Sequence, residues 1–110
     1  MQDLWTYDSK LDDTKDLEGL DVQATDGSIG SVDEATNEVG ASYIVVDTGL
    51  WIFGKKVMLP ASAIRRIDLD NRNVEVRLTK EQIKNSPEFD EDYRSSRYRE
   101  RVGTYYGPLM

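Results

Sequence analysis

Tyr43, Ile44, Val45 and Val46 form an unbroken β-branched and aromatic run that is apolar on both faces. It is short enough for a strand and too short for a buried helix. A strand of this kind cannot sit at a wetted surface. One face enters a core, and the other must be covered by the C-terminal segment, by the loop around Trp51, or by a second subunit. Asp47-Thr48-Gly49 stops the run, and Gly54-Lys55-Lys56 opens the next one, Val57-Met58-Leu59, which Pro60 ends. The stretch from 43 to 60 therefore reads as two neighbouring strands whose connecting loop carries Trp51, Ile52 and Phe53.

The flanking sequence supplies more short strands. Leu20, Val22 and Ala24 alternate with polar residues, and Asp26-Gly27 follows as a hairpin turn that needs positive φ. Ile29, Val32 and Ala35 recur at a spacing of three, which a regular strand cannot keep on one face. Gly30 among them predicts a bulge that re-aims the strand, in preference to a short helix over 31–36. After an Ala61-Ser62-Ala63 step, Ile64, Ile67 and Leu69 lead into the turn Asp70-Asn71-Arg72-Asn73. Val74, Val76 and Leu78 then return as the second strand of a hairpin. Thr79 with Gln82 forms a capping box, and Leu78 with Ile83 a hydrophobic staple, so a short helix starts at Lys80 and ends before Pro87. Tyr98 and Val102 at i, i+4, with Gly103 after them, predict a second short helix.

Composition narrows the function. The 110 residues contain neither cysteine nor histidine, which excludes disulfides, thiolate and imidazole metal sites and the usual general base. The expectation is a non-enzymatic protein with no catalytic residues, no cofactor and no metal. No stretch approaches the ~20 apolar residues of a membrane span, and no basic-then-apolar leader opens the chain, so a cytoplasmic protein is expected. The net charge of −7 is unevenly placed: residues 1–40 carry 11 acidic and 2 basic side chains, and residues 41–110 carry 10 and 12. This polarity permits head-to-tail contact within or between subunits, whereas sparse basic charge argues against nucleic acid as a partner.

Three groups of residues have types that could carry chemistry. Asp68, Asp70, Asn71 and Asn73 lack the spacing of a calcium loop and fit ordinary turn chemistry better. Arg94, Arg97, Arg99 and Arg101, interleaved with Tyr93, Tyr98, Tyr105 and Tyr106, have the residue types of a small nucleic-acid surface. The competing and favoured reading pairs these arginines with the acidic first part of the chain and packs the tyrosines on the barrel. Trp51, Ile52 and Phe53 either anchor a partner, as aromatic clusters do at interfaces, or fold back over the barrel end. The candidate interface is Tyr43, Val45, Trp51, Ile52, Phe53, Tyr98, Tyr105 and Tyr106.

Taken together, Leu20-Asp21-Val22, the run from Asp26 to Val32, Tyr43 to Gly49, Gly54 to Pro60 and Leu78 to Phe89 resemble a PRC-barrel domain over about residues 17–90. That module is shared by the cytoplasmic part of the photosynthetic reaction-centre H protein and the C-terminal part of the ribosome maturation factor RimM. The closest similarity is to free-standing bacterial versions that end in Tyr-Tyr-Gly, here Tyr105-Tyr106-Gly107. The transmembrane helix of the reaction-centre H protein and the preceding domain of RimM have no counterpart in the sequence. The resemblance implies a mainly β fold: a small, strongly bent antiparallel barrel of about six strands with short C-terminal helical turns. It also implies protein–protein contact rather than catalysis. The expected organisation is an acidic arm over 1–16, the barrel over 17–90 and an aromatic, basic segment over 91–110. The expected role is an assembly module that self-associates as a homodimer. An RNA-processing or ribosome-assembly factor is the alternative, and an accessory to a membrane electron-transfer complex a further one.

Overall fold

A computed structural model describes residues 17–36, 42–49, 55–89 and 92–109. Six strands are present: β1 (Asp21–Ala24), β2 (Gly27–Ala35), β3 (Tyr43–Asp47), β4 (Lys56–Pro60), β5 (Ile64–Asp68) and β6 (Asn73–Val76). Two helices follow, α1 (Lys80–Lys84) and α2 (Ser96–Tyr106). The strands form one sheet in the order β4-β3-β2-β1-β6-β5.

The sheet curls because its two ends are covalent neighbours. Five inter-strand steps of ~4.8 Å would put β4 and β5 about 24 Å apart in a flat sheet. They are joined only by a 3-10 turn at Ala61–Ala63, and a link of that length reaches about 15 Å at most. The turn is stitched to both ends: Ala61 N donates to Ser42 O at 3.1 Å, and Arg77 N donates to Ala63 O at 2.8 Å. No ladder pairs β4 with β5 among the described residues, so the curl is barrel-like without closing by strand pairing.

Four ladders are antiparallel, as expected, and β1–β6 is parallel. The reason lies in the same turn. β4 and β5 run in the same sense, so Ala61–Ala63 bends one continuing strand across the barrel end instead of reversing it. β6 must then return alongside β1 in parallel.

The spacing-three pattern of β2 has its explanation in two bulges. Val22 faces Gly30 but Gln23 faces Ser28, which leaves Ile29 as the extra residue. Val32 faces Val46 but Glu34 faces Val45, which leaves Asp33 extra. Each bulge shifts the inward phase by one position. Ile29 and Val32 are thereby both buried, and Ala35 packs against the core. The bulge expected near Gly30 is there; the one at Asp33 is a finding of the structure.

Local signals at α1 are realised as expected. Thr79 Oγ1 accepts from Gln82 N at 3.1 Å while Thr79 N donates to Gln82 Oε1 at 2.9 Å. Such a cap contributes about 1 kcal/mol relative to alanine. The neighbouring turn is tied in by Lys80 N, which donates to Asp26 Oδ1 at 2.9 Å. The second helix differs from expectation. It runs through Gly103 to Tyr106, eleven residues in all. Glycine inside a helix costs only about 1 kcal/mol, and carrying the helix onward buries Tyr106 on the same face as Tyr98 and Val102, a larger gain.

Candidate interaction surface

The central strand divides its side chains as its composition requires. Val46 lies opposite Val32 on one side and Val57 on the other, and Ile44 lies opposite Leu59, which defines the inner face. Tyr43 opposite Pro60 and Val45 opposite Met58 form the outer face. All of these residues are buried, and Val32, Tyr43, Ile44, Val45, Val46, Val57, Met58 and Leu59 belong to one continuous apolar core.

The cover for the outer face comes from the C-terminal segment of the same chain. Tyr93 meets Tyr43 edge-on at 6.4 Å between ring centroids. Phe89 lies 4.9 Å from Tyr93 and meets Tyr98 edge-on at 6.1 Å. The helix α2 packs on β4 and sends Tyr98, Val102 and Tyr106 into the core at no more than 1% exposure. Tyr105 is half-buried; its hydroxyl donates to Gln82 O at 2.6 Å, tying α2 to the end of α1. Burial pushes the Tyr106 phenol well above its ordinary range, with Ser86 offsetting part of the shift.

Among the candidate interface residues, then, Tyr43, Val45, Tyr98 and Tyr106 are occupied inside the single chain, and Tyr105 partly so. Trp51, Ile52 and Phe53 lie outside the described residues. The sequence pattern did not reveal the polar fastening of this cover. Tyr93 Oη donates to Glu34 Oε2 at 2.5 Å and Arg94 Nη2 donates to Glu34 Oε1 at 2.8 Å. The Arg94 guanidinium also sits 4.9 Å from the centre of the Tyr93 ring, a cation–π arrangement. Partial burial alone would raise the Glu34 pKa. The hydrogen bonds from Tyr93 and Arg94 and the Arg94 charge outweigh that and hold it below the ordinary glutamate value. Tyr93, hydrogen-bonded to the carboxylate, is pushed up to about 12.

The fastening gives a pH dependence with a definite sign. A carboxylate whose folded pKa is depressed contributes stability that is present above its unfolded pKa of about 4.5 and is lost as pH falls through the folded value. Glu34→Gln is therefore expected to lower stability at neutral pH and to flatten its decline on the acid side. Urea unfolding from pH 7 down to pH 3 checks this, and a parallel loss in wild type and variant would show that Glu34 does not carry the dependence.

Charge pairing accounts for much of the remaining surface. Lys56 pairs with Asp33 at 2.8 Å, Lys55 with Glu88 at 3.7 Å, Arg65 with Glu75 at 3.8 Å and Arg66 with Asp68 at 3.5 Å. Asp68 also accepts from Asn71 N at 3.1 Å and from Asn71 Nδ2 at 2.8 Å. Those bonds hold its pKa low and are turn chemistry. Among the described residues no group of three or more acidic side chains is arranged to hold a metal ion. On α2, Arg97 and Arg101 are exposed and make no ion pair among the described residues, as is also true of Arg72 and Lys84 elsewhere on the surface.

The PRC-barrel domain family model matches residues 12–83. Among curated proteins none matches the chain. Among solved structures, a protein described as the 16S ribosomal RNA processing protein RimM of Pseudomonas aeruginosa matches with a TM-score of 0.55 and 21% identity. The match covers 67% of this chain and 49% of that one, so this chain spans about half of that structure. At that identity the likeness is one of fold. No helix among the described residues is long and apolar enough to cross a membrane.

Proposed function

The chain belongs to the PRC-barrel family, and from that premise we propose that it is a non-catalytic interaction module acting through its surface on a protein partner in an assembly. The observation that carries this reading is the covered central strand. The barrel and α2 share one core, which makes α2 a fixed part of the domain surface, with Arg97 and Arg101 exposed on it and outside any ion pair among the described residues. A rigid, preformed surface is what an adaptor needs, because little ordering entropy is lost on binding.

Self-association is the finer form of this reading, and its motive is weak. It rests on an apolar strip needing cover, and the C-terminal segment of the same chain provides that cover. We therefore favour a different protein as partner. The second reading, a factor in ribosome assembly or RNA processing, is supported at family level by the structural likeness to RimM.

Gradient sedimentation of extract from the native host separates these. Migration in a complex that survives ribonuclease is expected. Ribonuclease-sensitive migration with ribosomal particles would replace the leading reading by the second, and migration only at the position of the free chain, even after crosslinking, would overturn both.

A further inference from the structure

We propose that the outward face of α2 is the docking surface for a carboxylate-rich segment of a partner protein. The proposal deepens the interaction-module reading and rests on it.

Helix α2 carries Arg97, Arg99 and Arg101 against Glu100 alone in a chain of net charge −7, a reversal of sign that follows directly on the acidic run Asp90-Glu91-Asp92. Arg94 is engaged by Glu34, and Arg99 is half-buried. Arg97 and Arg101 remain, exposed and one helical turn apart. Their placement does not serve the helix. The first turn of α2 contains no acidic residue and its last turn no basic one. Arg97, near the amino end, therefore adds positive charge where the helix dipole is already positive, an unfavourable arrangement for the isolated helix. The same arrangement creates a local positive field on an otherwise acidic domain, and an anionic partner would relieve it.

Among anionic macromolecules the surroundings favour carboxylates over phosphates. A single-stranded nucleic-acid surface gains affinity by stacking bases on exposed aromatic rings. Here Tyr98 and Tyr106 are turned into the core, Tyr93 is packed among Tyr43, Phe89 and Arg94, and Tyr105 is held by Gln82. Among the described residues of this segment, charge recognition remains without a stacking platform. The β-carbons of residues at i and i+4 on a helix lie about 6 Å apart, close to the spacing of alternate side chains along an extended strand, about 7 Å. Carboxylates at every second position of an extended segment match that separation and offer each guanidinium a two-point acceptor.

The test is fluorescence anisotropy on the full chain with two labelled probes, a peptide of alternating Glu and Ser and an oligouridylate of equal length, across a salt series. The expected result is peptide binding that weakens with salt and exceeds oligouridylate binding. It should weaken by about tenfold in Arg97→Glu/Arg101→Glu, while Lys55→Glu/Lys84→Glu, with the same change in net charge, stays within about twofold of wild type. Should the charge reversal unfold α2 by circular dichroism, Arg97→Gln/Arg101→Gln replaces it, with a smaller expected loss in the same direction. No peptide binding by the wild type, tighter binding of the oligouridylate, or equal weakening by the control variant each overturns the proposal. If the peptide fails while the native chain still migrates in a ribonuclease-resistant complex, the docking surface is wrong and the interaction-module reading stands.

Discussion

Gly30→Ala is expected to destabilise the barrel by roughly 3 kcal/mol or more, and to lower the melting temperature by roughly 15 °C. Gly30 lies beside the first bulge of β2, at φ +147°. A β-carbon built there would stand 2.0 Å from Asp47 O, 2.8 Å from Asp47 C and 2.9 Å from Thr48 Cα. All three are backbone atoms of β3 and the residue after it, so no side chain can swing aside to make room. Relief requires β3 to move away from β2, and β3 is fixed on its other edge by five residue pairs with β4. The loop after it is closed by Thr48 Oγ1, which donates to Lys55 O at 2.6 Å, and by Gly49 N, which donates to Asp47 Oδ1 at 2.9 Å. Overpacking of this kind strains the backbone and breaks ladder hydrogen bonds.

Gly49→Ala is the control. Gly49 also has positive φ, +57°, yet a β-carbon there meets nothing within 4 Å. Only the left-handed conformation is penalised, at about 1 kcal/mol. Thermal and urea unfolding of both variants separate close approach from conformation. A Gly30→Ala protein that melts with Gly49→Ala would mean that the two strands are free to part at no cost.

The same glycine shows how far sequence reaches into this fold. The spacing-three pattern of Ile29, Val32 and Ala35 is incompatible with a flat strand, so a bulge beside Gly30 was legible. The α1 cap was legible for a similar reason: Thr79 and Gln82 satisfy each other's backbone groups locally. The parallel β1–β6 ladder was not, because it depends on whether Ala61–Ala63 reverses the chain or bends it, and three small residues permit either. The Glu34 fastening joins residues 59 and 60 positions apart, and nothing near Glu34 marks it. For the candidate interface the difficulty is chemical. An aromatic residue bound for the core and one bound for a partner look alike in sequence, since the same apolar area drives both. Tyr43, Tyr98 and Tyr106 went to the core because the chain carries its own cover; Arg97 and Arg101 were left outside by the same helical period.

That cover sets the second large effect. Tyr98 is 1% exposed and anchors α2 among Phe89, Val102 and the outer face of the sheet. Tyr98→Ala removes a whole ring from a packed site and is expected to cost about 3–5 kcal/mol, a large share of the stability of a domain this size. Tyr98→Phe keeps the ring, leaves no cavity of that size, and should cost far less than the alanine variant. A chain ending at residue 90 removes α2 altogether and leaves Tyr43, Val45, Met58 and Pro60 facing water. It is expected to bind a hydrophobic dye, to lose its cooperative melt, and to associate in light scattering while the full chain does not. Association confined to the truncated chain would mean that the apolar strip is competent to pair and that α2 prevents it by lying there first. A truncated chain that stays monodisperse and melts cooperatively near the full-length temperature would make α2 an appendage instead. The arginine face would then ride on a detachable helix, not on a fixed wall of the barrel.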